Sequence, residues 1–228
     1  ADGIDVGQAP WGLLTPVHWR VGSDAIHLAD PRALALDETA SRALFEAVRP
    51  LFESEGYALA WAAPLRWYAS HAEMASLRCA SLDRVVGRNV DRWLPAQPEA
   101  RRVRRLQSEA QMLLHTHPIN TAREAAGALP VNSFWLSGCG ALQVEVGPEP
   151  VQVDDRLVAA AQAEDWSAWS AAWSALDASL LPTRQIARLT LCGERSAASF
   201  GRVERRLWQR VVSSFSPRPR ARVWLETL

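Results

Sequence analysis

Between Pro98 and Gly140 the chain carries a strong amphipathic helix, a proline break and an apolar run in quick succession. This unit constrains the fold more than any other feature. Val103, Leu106, Ala110 and Leu113 recur at helical spacing and draw one apolar stripe along Pro98 to His115. Pro98 suits a first helical turn, where a missing N–H is no loss. Arg105 and Glu109 form an i,i+4 pair in the less favourable order. Pro118 ends or bends the helix. A second short helix is expected from about Thr121 to Ala126, closed by Gly127. Val131 to Leu136 then reads as a buried strand leading into Ser137-Gly138-Cys139-Gly140, a tight turn with positive φ at Gly138 or Gly140. A helix with one apolar stripe beside a strand of this kind calls for a sheet to pack on.

The flanking sequence supplies that sheet. Two apolar runs, Trp11 to Val21 and Ala25 to Leu28, surround Gly22-Ser23 and read as a hairpin. A two-residue loop there would set His18 opposite His27. Asp37-Glu38 opens a helix whose Leu44, Phe45, Val48, Leu51 and Phe52 share a face, and Gly56 stops it. Tyr57–Trp61 and Leu65–Ala69 are strands separated by Pro64, one of them at a sheet edge. His71 to Leu94 is irregular. Leu142–Val146 alternates like a strand. A helix over 164–178 aligns Trp166, Trp169, Trp173 and Leu176. Ile186–Leu191 is a strand, 202–212 a basic helix, and Arg222–Leu225 a terminal strand. Strands and helices alternate only in part. The expected class is therefore α+β (or α/β), a mixed β-sheet with flanking helices in a single compact domain over residues 1–228.

Composition excludes several functions. The formal net charge is zero, so no global field steers the chain to nucleic acid or to a membrane surface. All 25 basic side chains are arginine, which rules out a lysine Schiff base and a phosphate loop of the lysine type. Residues 184–228 hold ten arginines against three acidic residues, yet no stacking aromatics interleave in a known module, and nucleic acid is disfavoured. Cys79, Cys139 and Cys192 are widely spaced, with no CxxC pair, and read as reduced thiols in a cytoplasmic protein. No apolar run is long enough to span a membrane. Most of the 11 tryptophans are expected in the core.

Polar residues crowd beside the predicted strand: Gln107, Gln111, His115, His117, Asn120, Arg123, Asn132 and Ser133. A helix–turn–strand fold would gather them about one hollow, suited to a small anionic ligand or a protein partner. His115 and His117 lack a third and fourth ligand at any recognisable spacing, so no metal site is assigned. Arg101, Arg102, Arg104 and Arg105 spread over the solvent arc of the helix. Cys139 has no neighbouring base in sequence, and neither a catalytic residue nor a cofactor is named.

The segment LQSEAQMLLHTHPINTAREAAGALPVNSFWLSGCG (Leu106 to Gly140) resembles a proteobacterial family whose members carry the label cofactor-independent phosphoglycerate mutase-like, regulatory or uncharacterised. WGLLTPVHWRVG, PLRWY and SLDRVVGRNVDRWLP look like the same family. Its members extend further on the N-terminal side, which implies that this chain is the C-terminal part of a longer protein. The label implies a metal-dependent phosphomutase or phosphatase with a Ser nucleophile and two metal ions. No matching Asp/His motif stands here, so no catalytic or metal residue is carried over. Two alternatives therefore stand beside the ligand-binding expectation: that metal-dependent enzyme, and a module docking a protein through its tryptophans or arginines.

Overall fold

The computed structural model describes residues 3–4, 7–142, 151–180, 188–193 and 197–201. By internal contacts the chain divides into two units, Ala1–Gln152 and Val153–Leu228.

The first unit is an α+β fold. Its sheet contains β1 (Trp11–Val17), β4 (Ala58–Ala63), β5 (Arg66–Ser70) and β6 (Ser133–Gly140) in the order β4-β5-β1-β6. Every pairing is antiparallel, which selects α+β over α/β. Pro64 and Leu65 form the turn between β4 and β5. The sheet closes on a pairing distant in sequence, with Leu14 opposite Leu136 and Val17 opposite Ser133.

Two helices pack on one face. In α1 (Glu38–Ser54) the Asp37 carboxylate accepts the Ala40 N–H at 2.8 Å, and Gly56 at φ +82° turns the chain back into β4. Leu44, Phe45, Val48 and Phe52 are buried, each contributing roughly 1.5–3 kcal/mol by removal from water. A buried hydroxyl ties α1 to the hairpin. Ser41 Oγ donates to the Pro64 carbonyl at 2.8 Å and accepts the indole N–H of Trp61 and of Trp67, each at 3.0 Å. In α2 (Arg101–His115) Val103, Leu106, Ala110 and Leu114 meet the same core. Phe134 and Leu136 join it from β6, whereas Trp135 points to the other face. There Val17, Trp19, Leu28, Val85 and Val90 form a second cluster beneath the irregular segment 71–97. A strand buried on both faces reads as a continuous apolar run, which is the pattern of Phe134, Trp135 and Leu136.

Several local expectations are corrected. The hairpin is β2 (Trp19–Val21) with β3 (Ile26–Leu28), closed by four residues, with Gly22 N–H donating to the Ala25 carbonyl. The longer loop shifts the register, so His27 faces Arg20 and not His18. His18 Nδ1 instead donates to the Pro130 carbonyl at 2.9 Å. The second short helix, α3, runs Pro118–Ala125, earlier than expected, because Pro118 takes the first helical position and His117 Nδ1 accepts the Ile119 N–H. Ser137 to Gly140 is no tight turn. It continues β6, since β1 offers paired backbone as far as Trp11 opposite Gly140, and the positive φ of Gly138 falls within an irregular register.

The second unit contains α4 (Val158–Gln162), α5 (Trp166–Leu180) and the hairpin of β7 (Arg188–Cys192) with β8 (Ala197–Gly201). The expected tryptophan row is present on α5. Trp169 and Trp173 stack at 5.5 Å, Trp166 meets Trp169 edge-on, and Leu176 is buried. The strand expected at Leu142–Val146, the helix over 202–212 and the strand Arg222–Leu225 lie outside the described residues, apart from Leu142 itself. Among the described residues no helix is long and apolar enough to cross a membrane.

Candidate functional site

The eight polar residues anticipated between Gln107 and Ser133 serve chiefly as fasteners of main chain. Gln107 Nε2 donates to the buried Phe134 carbonyl at 2.8 Å, and Gln111 Nε2 lies 3.5 Å from Ser133 Oγ, so these three meet at the contact of α2 with β6. Asn120 is buried. Its amide donates to the carbonyls of Leu114 (2.8 Å) and Val131 (2.7 Å) and accepts the Val131 N–H (2.9 Å). Asn132 exchanges two hydrogen bonds with the main chain of Trp19, at 2.7 and 2.9 Å. Arg123 donates to the carbonyls of Leu129 and Leu34. His117 caps α3, and His115 is exposed in the last turn of α2. A buried carbonyl or N–H left without a partner costs about 1–3 kcal/mol, which explains why short polar side chains gather where helix ends meet strand ends.

A different place has the geometry of a site. The end of α1, the end of β5 and the start of α2 enclose a cleft of about 500 Å³ lined by Glu55, Glu73, Arg101, Arg102 and Arg105, with Pro98 and Glu99 at its side. None of the eight anticipated residues lines it. Glu55 arrives there because α1 ends one residue earlier and Gly56 reverses the chain. His71 and Glu73 arrive because β5 stops at Ser70 and gives way to a 3-10 turn over Ala72–Ala75. The arginines are the helix face long read as solvated.

These side chains are mutually engaged. Tyr57 Oη donates to Glu73 Oε2 at 2.9 Å, and the His71 ring stacks on Tyr57 at 4.4 Å between centroids. Burial, then the hydrogen bond to Glu73, push the Tyr57 hydroxyl well above the usual phenol range. Arg102 Nη1 lies 3.2 Å from His71 Nε2, while its Nε is 3.6 Å from Glu55 and 3.7 Å from Glu73. A guanidinium only donates, so a hydrogen bond from Arg102 needs Nε2 as its acceptor, and Nδ1 lies 3.6 Å from Glu73 Oε2. The Glu73 N–H donates to Nδ1 at 3.2 Å, and a neutral ring accepts at one nitrogen only, so the bonds from Glu73 and Arg102 compete. Arg105 pairs with Glu55 and, at 3.5 Å, with Glu109.

The cleft is lined by three carboxylates and three guanidiniums. Glu55 pairs with both Arg102 and Arg105, and Glu73 with Arg102, so the guanidiniums that line the cleft are partly neutralised. No serine, threonine or cysteine lines it. Among the described residues no three His, Cys, Asp or Glu stand close enough together to hold a metal ion. In sequence, Glu55, Tyr57, His71 and Glu73 share no motif spacing. Only the pile of arginines at 101–105 offered a signal, and on a lone helix it is indistinguishable from a solvated face.

No family model matches the chain, and no curated protein matches it. Among solved structures, one that is similar is the cofactor-independent phosphoglycerate mutase from Thermoplasma acidophilum, at 17% identity and a TM-score of 0.45. The match covers 63% of this chain, which spans only 40% of that structure's length. Its name agrees with the resemblance read from Leu106 to Gly140, but at this level of likeness it carries no argument about activity.

Proposed function

We propose that the first unit binds a small anionic molecule, such as a phosphate ester or a carboxylate, in the cleft at the start of α2. The observation that carries this reading is the charge placement on that helix. Arg101, Arg102, Arg104 and Arg105 crowd its first turns, with no acidic residue in the first turn and no side-chain cap. That is the positive end of the helix dipole, where each cation costs a few tenths of a kcal/mol to about 1 kcal/mol. In the cleft Glu55, Glu73 and Glu99 face Arg101, Arg102 and Arg105 in equal number, while Arg104 lies outside it and donates to the Pro95 carbonyl. A bound anion would accept N–H groups from the exposed Arg101 guanidinium at the start of the helix. Arg101 is the natural first contact, being exposed at the mouth of the cleft.

The experiment is a titration of the protein with inorganic phosphate and with a simple phosphate monoester at low salt, followed by amide and guanidinium NMR shifts. Shifts are expected at residues 99–105. Arg101→Gln should weaken binding about tenfold, near 1.4 kcal/mol, with the fold intact. Added salt should weaken it further. Saturating phosphate or ester that moves no resonance of that helix would end the proposal. The resemblance to metal-dependent phosphomutases adds a phosphate ester as the natural first probe. It assigns no catalytic step to these residues.

A further inference from the structure

Away from the cleft, two of the three cysteines are in contact. Cys79 lies in the irregular segment after the 3-10 turn, and Cys139 lies in β6, 60 positions along the chain. Their Sγ atoms are 3.7 Å apart, and Cys139 Sγ is 3.6 Å from Met74 Sδ. The rest of the fold makes room for this sulfur cluster. A Cβ on Gly12 of β1 would stand 3.0 Å from both Cys139 Sγ and Met74 Sδ, and 2.7 Å from Leu136 Cδ1. The register of β1 against β6 shifts between Trp11 and Leu13 at the same level.

Both cysteines are held from either side. Cys139 sits in a paired strand. The neighbours of Cys79 are tied down, with Arg78 N–H donating to Gln97 Oε1 at 3.1 Å and the Ala80 carbonyl accepting the Trp135 indole N–H at 3.0 Å. Both thiols are half-buried, so a small reagent reaches them, whereas Cys192 is exposed and far along the chain. A disulfide needs its sulfurs at about 2.05 Å. From the observed 3.7 Å, closing the bond calls for side-chain rotation with the neighbouring backbone adjusting.

We propose that Cys79 and Cys139 are a dithiol pair that a low-molecular-weight disulfide oxidises reversibly to an intrachain disulfide. The Cys79 thiolate attacks one sulfur of the small disulfide, breaks its S–S bond and expels one small thiolate, which takes up the Cys79 proton. Cys139 then loses its proton and attacks the Cys79 sulfur of the mixed disulfide, expelling the second small thiol. Two protein thiols are oxidised and one small disulfide is reduced to two thiols, so atoms and electrons balance. Either sulfur can donate in the contact, and the order written here takes Cys139 as the donor. The S–H of Cys139 stabilises a Cys79 thiolate and holds that thiol below its ordinary value, while the same bond, together with burial, pushes Cys139 up.

The test uses the full chain in mixtures of reduced and oxidised glutathione, quenched with an alkylating agent and read by intact and peptide mass spectrometry. Expected is the loss of two hydrogens, a cross-linked peptide pair carrying Cys79 and Cys139, and full reversal by dithiothreitol. Cys192 should contribute only a glutathione adduct. In Cys139→Ser a stable glutathione adduct should accumulate on Cys79, whereas in Cys79→Ser the adduct on Cys139 should form about tenfold more slowly or less. Wild-type protein that keeps both thiols free in saturating oxidised glutathione, or ends as two adducts with no cross-link, would overturn the proposal. That readout needs no variant to fold.

Discussion

Asn120→Ala is the sharpest probe of what the polar residues between α2 and β6 do. The carboxamide makes three hydrogen bonds in a buried site, to Leu114 O, Val131 O and Val131 N. Leu114 O keeps a second donor, the His117 N–H at 3.2 Å, so it is not orphaned by the change. The Val131 N–H and carbonyl lose the side chain that joins them to the helical segment, and Val131 is itself fully buried. Each buried group left without a partner costs about 1–3 kcal/mol, which gives a loss of about 3 kcal/mol, with water entry lowering it and the small cavity raising it. For a domain stable by roughly 5–15 kcal/mol this is a large fraction. Urea unfolding followed by far-UV circular dichroism measures it directly, with the same m-value expected for both proteins. His115→Ala, at an exposed position in the same stretch, should change the midpoint little. A loss below about 1 kcal/mol for Asn120→Ala would refute the fastener reading and return the residue to the candidates for ligand contact.

Two further outcomes follow from the core and the cleft. Ser41→Ala removes one hydroxyl that serves two indoles and a carbonyl, so a destabilisation of about 2–3 kcal/mol is expected, with a change in tryptophan fluorescence before unfolding. An unchanged denaturation midpoint would contradict the shared-hydroxyl arrangement. Tyr57 titrates higher in the folded chain than its unfolded value near 10, so the folded state holds that proton more tightly. Its contribution is complete below about pH 10 and is lost as pH rises beyond it. Tyr57→Phe should flatten the fall of stability in that alkaline range, and a slope equal to wild type would count against the buried Tyr57–Glu73 bond.

Legibility followed the distance over which each feature is encoded. Helix α1 was readable from Asp37 to Gly56 because its cap, its apolar face and its stop are neighbours in sequence. The core of α2 was readable for the same reason, with Leu114 rather than Leu113 proving the fully buried member. Ser137 to Gly140 misled because glycines mark turns locally, and only the arrival of β1 from more than a hundred positions away turns them into a strand. The histidine register failed on two residues of loop length. The polar residues near Asn120 were noticed, but composition cannot tell a side chain that clamps main chain from one that faces a ligand.

By itself, the order of residues determined the helices, their apolar faces and a mixture of helix and strand, since capping and periodicity act within a few positions. Which strands adjoin, and which charges meet, was decided only when the chain folded back on itself. Glu55, His71, Glu73 and Arg102 belong to three separate elements, and so do Met74, Cys79 and Cys139. Packing α1 and α2 on one face of a sheet closed by β1 and β6 brings each set together, and no local interaction could specify that.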